Sequence, residues 1–257
     1  MQKIRAVILA GDDERGKCLN SNSKIHNKAF IKINDRYMVQ YVLDAVCAVE
    51  GISDIVVVGP ERPLKKLQSS YNFEIVKQQG DIVDNVIASI NGWHGEKVLV
   101  VTSDIPMITP QAIRDFLLKT HSDEADIYYP IIDKESNEKM FPNAKRTYVK
   151  IKEGTYTGGN IALINTECVI KCKKMGKKLV SMRKSPLKLA RLLGFKFLIK
   201  LMANNLTILE LENKLSLLLD SNVKAIQSTY PQLGTDIDKK EDVKIAEKSL
   251  TDLKISN

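Results

Sequence analysis

Apolar positions in the first half of the chain follow two alternating rhythms. Residues 4–10, 54–59, 73–76 and 97–103 are short, nearly continuous apolar runs of strand length. Between them, apolar side chains recur every three or four positions over 38–49 (Met38, Val39, Val42, Leu43, Val46, Cys47) and over 81–92 (Ile82, Val83, Val86, Ile87, Ile90), which predicts helices. Pro110 after Thr109 predicts a helix start, with the helix running to about Lys119. The second half is less regular. Strands are expected over 126–132 and 146–152 with a polar connection between them, then a turn over Thr155–Asn160 and a strand over 161–164. Two or three helices interrupted near Pro186 and Gly194 follow, then a helix over 206–219, a strand over 223–227 and a final helix over 241–253. Continuous apolar strands separated by helices predict an α/β protein, a parallel sheet covered on both faces. The expected organisation is one domain over 1–257 with an inserted helical subdomain at about 166–220.

At 257 residues and 44% hydrophobic, the chain can bury a full core and is not expected to be disordered. The four cysteines, at 18, 47, 168 and 172, show no CxxC spacing and no disulfide-scaffold density. They are read as reduced, in a cytoplasmic protein. No HExxH-type zinc motif is present. The first apolar run is too short for a signal peptide, and no stretch approaches 18 uncharged apolar residues. The net charge of +8 is local: between Cys168 and Leu209 lie eleven Lys and Arg and no Asp or Glu, and the remainder is slightly acidic.

Chemistry-bearing residues fall at predicted strand ends, where open α/β sheets bind ligands. The first strand runs into Ala10-Gly11, where glycine lets the backbone turn and offer N–H groups to phosphate oxygens. Lys28 follows as a point charge for phosphates. Another strand ends in Thr102-Ser103-Asp104-Ile105-Pro106, and Gly234-Thr235-Asp236-Ile237-Asp238 precedes the last helix. Asp104 and Asp238 are hard oxygen ligands suited to Mg²⁺. Ile237 is expected to point away from both Asp236 and Asp238. Each residue alone reads equally as a loop position or helix cap.

Taken together, Val7-Ile8-Leu9-Ala10-Gly11, Asn27-Lys28-Ala29, Tyr37–Leu43, Val101–Met107 and Asp236–Asp242 resemble the MobA-like nucleotidyltransferases. That group includes molybdenum-cofactor guanylyl- and cytidylyltransferases and related sugar-nucleotide pyrophosphorylases. The resemblance implies a GT-A-like, Rossmann-like three-layer α/β/α fold with a mostly parallel sheet, and a Mg²⁺-dependent (or Mn²⁺-dependent) transfer of a nucleotide from a nucleoside triphosphate to a phosphorylated small-molecule acceptor, with release of pyrophosphate. Carried over, Leu9, Ala10, Gly11 and Arg15 would touch the nucleotide, and Lys28 its phosphates. Asp104, Asp238 and Asp236 would hold metal, and Lys28 and Asp104 would be catalytic. Gln79, Gly80 and Asn85 lie where such enzymes read the base. Thr157-Gly158-Gly159-Asn160 lies where the acceptor would face; its other reading is an ordinary hairpin turn.

The sequence departs from the family in two places. Where a second glycine is usual after Gly11 the run is Asp12-Asp13-Glu14-Arg15, and the usual proline before the lysine is Asn27. The acidic loop reads as solvated, as remodelled for another substrate, or as a sign of lost catalysis; Arg15 or Lys17 could supply compensating charge. The basic span over 171–200 reads as a solvated helical cap, as an acceptor pocket, or as contact with an anionic membrane surface. No nucleic-acid-binding motif accompanies it. The alternatives to nucleotidyl transfer are a metal-dependent GT-A glycosyltransferase using Asp236-Ile237-Asp238 as a DxD motif, and a non-catalytic nucleotide-binding regulatory protein.

Overall fold

The computed structural model describes residues 3–11, 27–121, 124–182 and 185–255. Asp12, Asp13, Glu14, Arg15, Lys17 and Cys18 lie outside the described residues, as do Arg183 and Lys184. In chain order the strands and helices are β1 (Ile4–Leu9), β2 (Lys32–Ile33), β3 (Arg36–Tyr37), α1 (Met38–Cys47), β4 (Ile52–Val58), α2 (Glu61–Leu67), β5 (Glu74–Val76), α3 (Ile82–Ser89), β6 (Lys97–Thr102) and α4 (Pro110–Lys119). Then come β7 (Ile127–Asp133), α5 (Lys134–Met140), β8 (Val149–Ile151), β9 (Gly154–Gly158), β10 (Ile161–Asn165), α6 (Thr166–Lys171), α7 (Lys173–Met182), α8 (Pro186–Leu193), α9 (Phe195–Met202), α10 (Ile208–Leu219), β11 (Val223–Ser228) and α11 (Lys240–Ile255). Single 3₁₀ turns lie at Lys28–Phe30 and Pro231–Leu233.

The sheet is mostly parallel and Rossmann-like. β5, β4, β1 and β6 run parallel as neighbours, and β11 runs parallel to β7 along Ile127–Ile132. Side chains alternate across this sheet with the period of two that a strand imposes. Ala6, Ile8, Leu99 and Val101 pack with Val42 and Val46 of α1 and Ile113 and Phe116 of α4. Val7, Val98 and Val100 pack with Val86 of α3, Ile90 just after it and Val169 of α6. Burial on both faces explains the continuous apolar runs; each fully buried Val, Leu, Ile or Phe contributes roughly 1.5–3 kcal/mol.

The sheet is mostly, not wholly, parallel, as the resemblance implied. β10 is antiparallel to both β6 and β7, and β9 is antiparallel to β7 and β8. β9 and β10 follow each other along one edge of β7: Gly158 pairs with Ile131 and Leu163 with Tyr128. The register therefore absorbs two extra residues, Gly159 and Asn160, in a bulge against Pro130. The expected turn over Thr155–Asn160 shrinks to this bulge, because Thr155–Gly158 belongs to β9. The strand expected over 146–152 shortens to β8. Helices α2 and α5 were not anticipated; α5 replaces much of the polar connection after β7.

Candidate active site

The carboxyl edge of the parallel strands gathers most of the sequence candidates. Ala10 donates its N–H to Val58 O (2.8 Å), continuing the ladder one residue past β1. Gly11 then lies against Gln78: a Cβ there would meet Gln78 Oε1 at 2.5 Å, so the bare glycine lets the Gln78 side chain pack onto the end of β1. Asn27, the residue in the place of the usual proline, is buried and holds the lysine segment to β1. Its Nδ2 donates to Ala10 O (2.7 Å), and its Oδ1 accepts from Ala29 N (2.8 Å) as the cap of the 3₁₀ turn. Lys28 starts that turn and reaches an ion pair with Asp238.

Asp104 lies two residues past β6. Ser103 N donates to Leu9 O (3.1 Å), which keeps the β6 exit beside the β1 exit. Thr102 Oγ1 donates to Asp104 Oδ1 (2.6 Å). The 236–238 segment arrives through the bulge. Asn160 N donates to Leu233 O (2.7 Å), Asn160 O accepts from Thr102 N (3.0 Å), and Ile237 N donates to Asp104 O (2.9 Å). Ile237 is fully buried among Met38, Tyr41, Met107 and Phe141, so its neighbours Asp236 and Asp238 turn to the other side. Carboxylate oxygens of Asp104, Asp236 and Asp238 all lie within 4.8 Å of one another.

Arg146 was passed over as a candidate in the sequence. It lies between α5 and β8, forms an ion pair with Asp236, and has a side chain only 12% exposed. Burial pulls its guanidinium below its ordinary pKa, against the carboxylates of Asp104 and Asp238, which raise it. A second layer supports the segment. Thr235 Oγ1 donates to Asn137 Oδ1 (3.1 Å), and Asn137 Nδ2 donates to the Tyr148 hydroxyl (2.9 Å). Asn137, fully buried on α5, thus ties the 235–238 segment to the stretch that carries Arg146. The only hint in the sequence was the basic, aromatic run Lys145–Lys150.

The remaining candidates take structural positions around this centre. Gly80 adopts φ +49°, and a Cβ there would collide with Asp84 Oδ2. Buried Asn85 accepts from Gln79 N (2.6 Å), so its carbonyl shapes the 78–80 loop. A Cβ on Gly158 would meet the Tyr129 hydroxyl at 2.6 Å, and one on Gly159 would meet Pro130 Cγ at 2.6 Å. Both glycines therefore admit close packing onto β7. Thr157 is buried. Asn160 Nδ2 is buried and makes no hydrogen bond to the described residues.

Three carboxylates beside Lys28 and Arg146 leave one net negative charge on an all-oxygen donor set. That set suits a hard divalent cation shared with phosphate oxygens. Glycine turns and N–H groups at the ends of β1 and β5 adjoin it, an arrangement fit for a phosphorylated nucleotide.

Comparison with known proteins gives the fold its relatives. The MobA-like NTP transferase domain matches residues 6–186. A hypothetical transferase from Thermus thermophilus superposes with a TM-score of 0.81 at 34% identity, over 94% of this chain and 99% of that one. CMP:2-keto-3-deoxy-manno-octonic acid synthetase complexed with CTP shares the fold at 11% identity, with a TM-score of 0.62 over 98% and 100% of the two chains. So does 4-diphosphocytidyl-2C-methyl-D-erythritol synthase from Anaerococcus prevotii, at 14% identity and a TM-score of 0.59 over 97% and 96%. No curated protein sequence matches the chain.

Proposed function

The chain belongs to the MobA-like NTP transferase family, and we propose that it transfers a nucleoside monophosphate from a nucleoside triphosphate to a phosphorylated small-molecule acceptor. The observation that carries this reading is the convergence of Asp104, Asp236 and Asp238 with Lys28 at the carboxyl edge, beside the Gly11 turn. Two structural neighbours of named activity are a synthetase bound to CTP and a diphosphocytidyl synthase, which supports nucleotidyl transfer over sugar transfer.

In the proposed reaction an acceptor phosphate oxygen forms a bond to the α-phosphorus. The bond from that phosphorus to the oxygen bridging to the β-phosphate breaks, and pyrophosphate leaves with the electron pair. Asp104, Asp236 and Asp238 would hold Mg²⁺, or Mn²⁺ in its place; a bound divalent cation supplies charge neutralisation to the phosphates. Lys28 neutralises the triphosphate as a point charge once nucleotide draws it from Asp238. Arg146 pairs with Asp236 and fixes its position. Gly11 and the 78–80 loop frame the nucleotide, with Ala10 and Leu9 behind them. Asn160 offers its buried amide to the acceptor. Because little covalent chemistry falls to the protein, catalysis is positioning plus preorganised charge.

The test is pyrophosphate release across the four nucleoside triphosphates with a panel of sugar, polyol and amino-alcohol phosphates and Mg²⁺. Release that requires both nucleotide and acceptor is expected. Sugar transfer from a nucleotide-sugar without pyrophosphate would instead identify a glycosyltransferase, and tight nucleotide binding with no turnover would identify a regulatory binding protein.

A further inference from the structure

The basic span over 168–209 is only partly used inside the fold. Lys177 Nζ bonds Asp84 Oδ2 at 2.5 Å and lies 3.5 Å from Asp81, and Lys173 lies 3.4 Å from Asp84. Lys171 pairs with Asp220 at 2.8 Å, and Lys200 pairs with Glu210. The Lys173 and Lys177 contacts dock α7 onto the N-terminus of α3, and the Lys171 and Lys200 pairs hold α6 and α9 to the two ends of α10. At the other end, Lys152 N donates to Leu206 O (2.9 Å) and Ile208 N to Glu153 Oε1 (3.1 Å), tying the chain after α9 to the β8–β9 turn. Both anchors lie at the carboxyl edge of the parallel strands. Between them, α8 and α9 are joined by Gly194, at φ +117° with nothing within 4 Å of a would-be Cβ.

What α8 and α9 present outward is unusual for a solvated cap. Phe195, Met202, Leu187 and Ile199 are 75%, 73%, 60% and 51% exposed. Phe195, Ile199 and Met202 follow the i, i+4, i+7 spacing of one helix face, and α9 buries none of its residues. Lys188, Arg191 and Lys196 are exposed on the same pair of helices, and none pairs with an acid among the described residues. Large apolar side chains exposed in one group mark a contact surface. Bases beside them, with no carboxylate from 168 to 209, set the sign of what is contacted.

We propose that the outward face of α8–α9 docks on an anionic membrane leaflet. Phe195, Ile199, Met202 and Leu187 enter the boundary between headgroups and acyl chains, and Lys188, Arg191 and Lys196 meet the headgroup phosphates. Charge complementarity selects this occupant. A second copy of the same face would set bases against bases with no acid to separate them. The assignment does not rest on the proposed reaction, since it uses none of the residues placed at the acid cluster.

The test is co-sedimentation of the full chain with phosphatidylglycerol/phosphatidylcholine vesicles and with pure phosphatidylcholine vesicles, at low and high salt. Wild type should bind the anionic vesicles at low salt, bind more weakly at high salt, and leave the zwitterionic ones. Lys188→Glu/Arg191→Glu/Lys196→Glu should lower the partition about a hundredfold. Phe195→Ser/Met202→Ser should lower it roughly tenfold or more. Amide exchange over 186–202 in wild type should slow on addition of anionic vesicles, which gives a reading independent of either variant. Wild type that stays in the supernatant at low salt overturns the proposal. So does full binding by Phe195→Ser/Met202→Ser, which would reduce the contact to adsorption by charge. A dimer that ignores vesicles and is dissociated by Phe195→Ser/Met202→Ser would assign the face to a second copy and overturn it as well.

Discussion

Arg146 is the side chain on which the acid cluster most depends. It pairs with Asp236, which is 8% exposed, and its field also reaches Asp104 and Asp238. Removing it strands a buried carboxylate, so Arg146→Met should cost about 3–5 kcal/mol in urea unfolding with chelator present. Adding Asp236→Asn should recover part of that loss; a single-variant cost below about 1 kcal/mol would mean that solvent already satisfies Asp236. Lys28 differs because it is nearer solvent and pairs with the more exposed Asp238. Lys28→Ala should leave stability nearly unchanged and weaken nucleoside triphosphate binding by about 1.5–3 kcal/mol, the range for hydrogen bonds to charged groups. An unchanged dissociation constant in calorimetry would make Lys28 a surface lysine that only neutralises Asp238. Gly11, Lys28, Asp104 and Asp238 were legible because each lies just past an apolar run or at a turn that local pattern marks. Arg146 was not, because its place is set by packing of α5 and β8, and nothing in its neighbours along the chain announces a buried partner 90 positions away.

At the scale of elements, the periodic helices and the continuous strands followed from pattern, and the exceptions have local causes. α5 reads Lys-Glu-Ser-Asn-Glu-Lys-Met, with no apolar stripe; it forms because Asp133 caps it, accepting from Ser136 N at 2.8 Å, and because Asn137 is buried against Thr235 and Tyr148. α2 contains Pro63 and buries only Leu64 and Leu67. The β9–β10 bulge carries Gly-Gly-Asn, which reads as a hairpin turn in isolation; only β7 shows that the chain continues along the same edge. The α6–α7 junction gives a prediction of its own. Cys168 Sγ and Cys172 Sγ lie 3.2 Å apart in a cluster with Leu219 and Val223, and burial pushes the Cys168 thiol up to about 12. The raised value means the fold holds this thiol neutral while an unfolded chain releases its proton near ~8.5. The stabilisation is therefore complete below about pH 8.5 and declines as pH climbs toward 12. The urea midpoint of wild type should fall between pH 8 and 10.5 more steeply than that of Cys168→Ala. Equal slopes would show that other groups set the alkaline limit.

For the whole molecule, the sheet does two things at once. It aims the ends of β1, β5 and β6 at one edge, and it uses the antiparallel β9–β10 strand to bind the late 235–238 segment to that edge. Asn160 N and O hold Leu233 and Thr102 respectively, and Ile237 N bonds Asp104 O, so residues more than 130 positions apart, Asp104 and Asp238, are brought together by backbone bonds. The order of these motifs along the chain was visible in the sequence, but the staple between them was not, because it is made of backbone atoms. The same edge anchors the basic α7–α9 span at both ends, which would set a membrane-docked enzyme with its substrate side near the lipid. No helix of the described residues is long and apolar enough to cross a membrane. The central claim is that the three carboxylates join metal and nucleoside triphosphate in one site. Calorimetric titration of each nucleoside triphosphate into wild type and Asp104→Asn, with Mg²⁺ and with chelator, tests it most directly. Wild type should bind at least one triphosphate more tightly with Mg²⁺ than without, and Asp104→Asn should lose that difference while keeping its thermal stability. Equal affinity and equal Mg²⁺ dependence in wild type and Asp104→Asn would contradict the account.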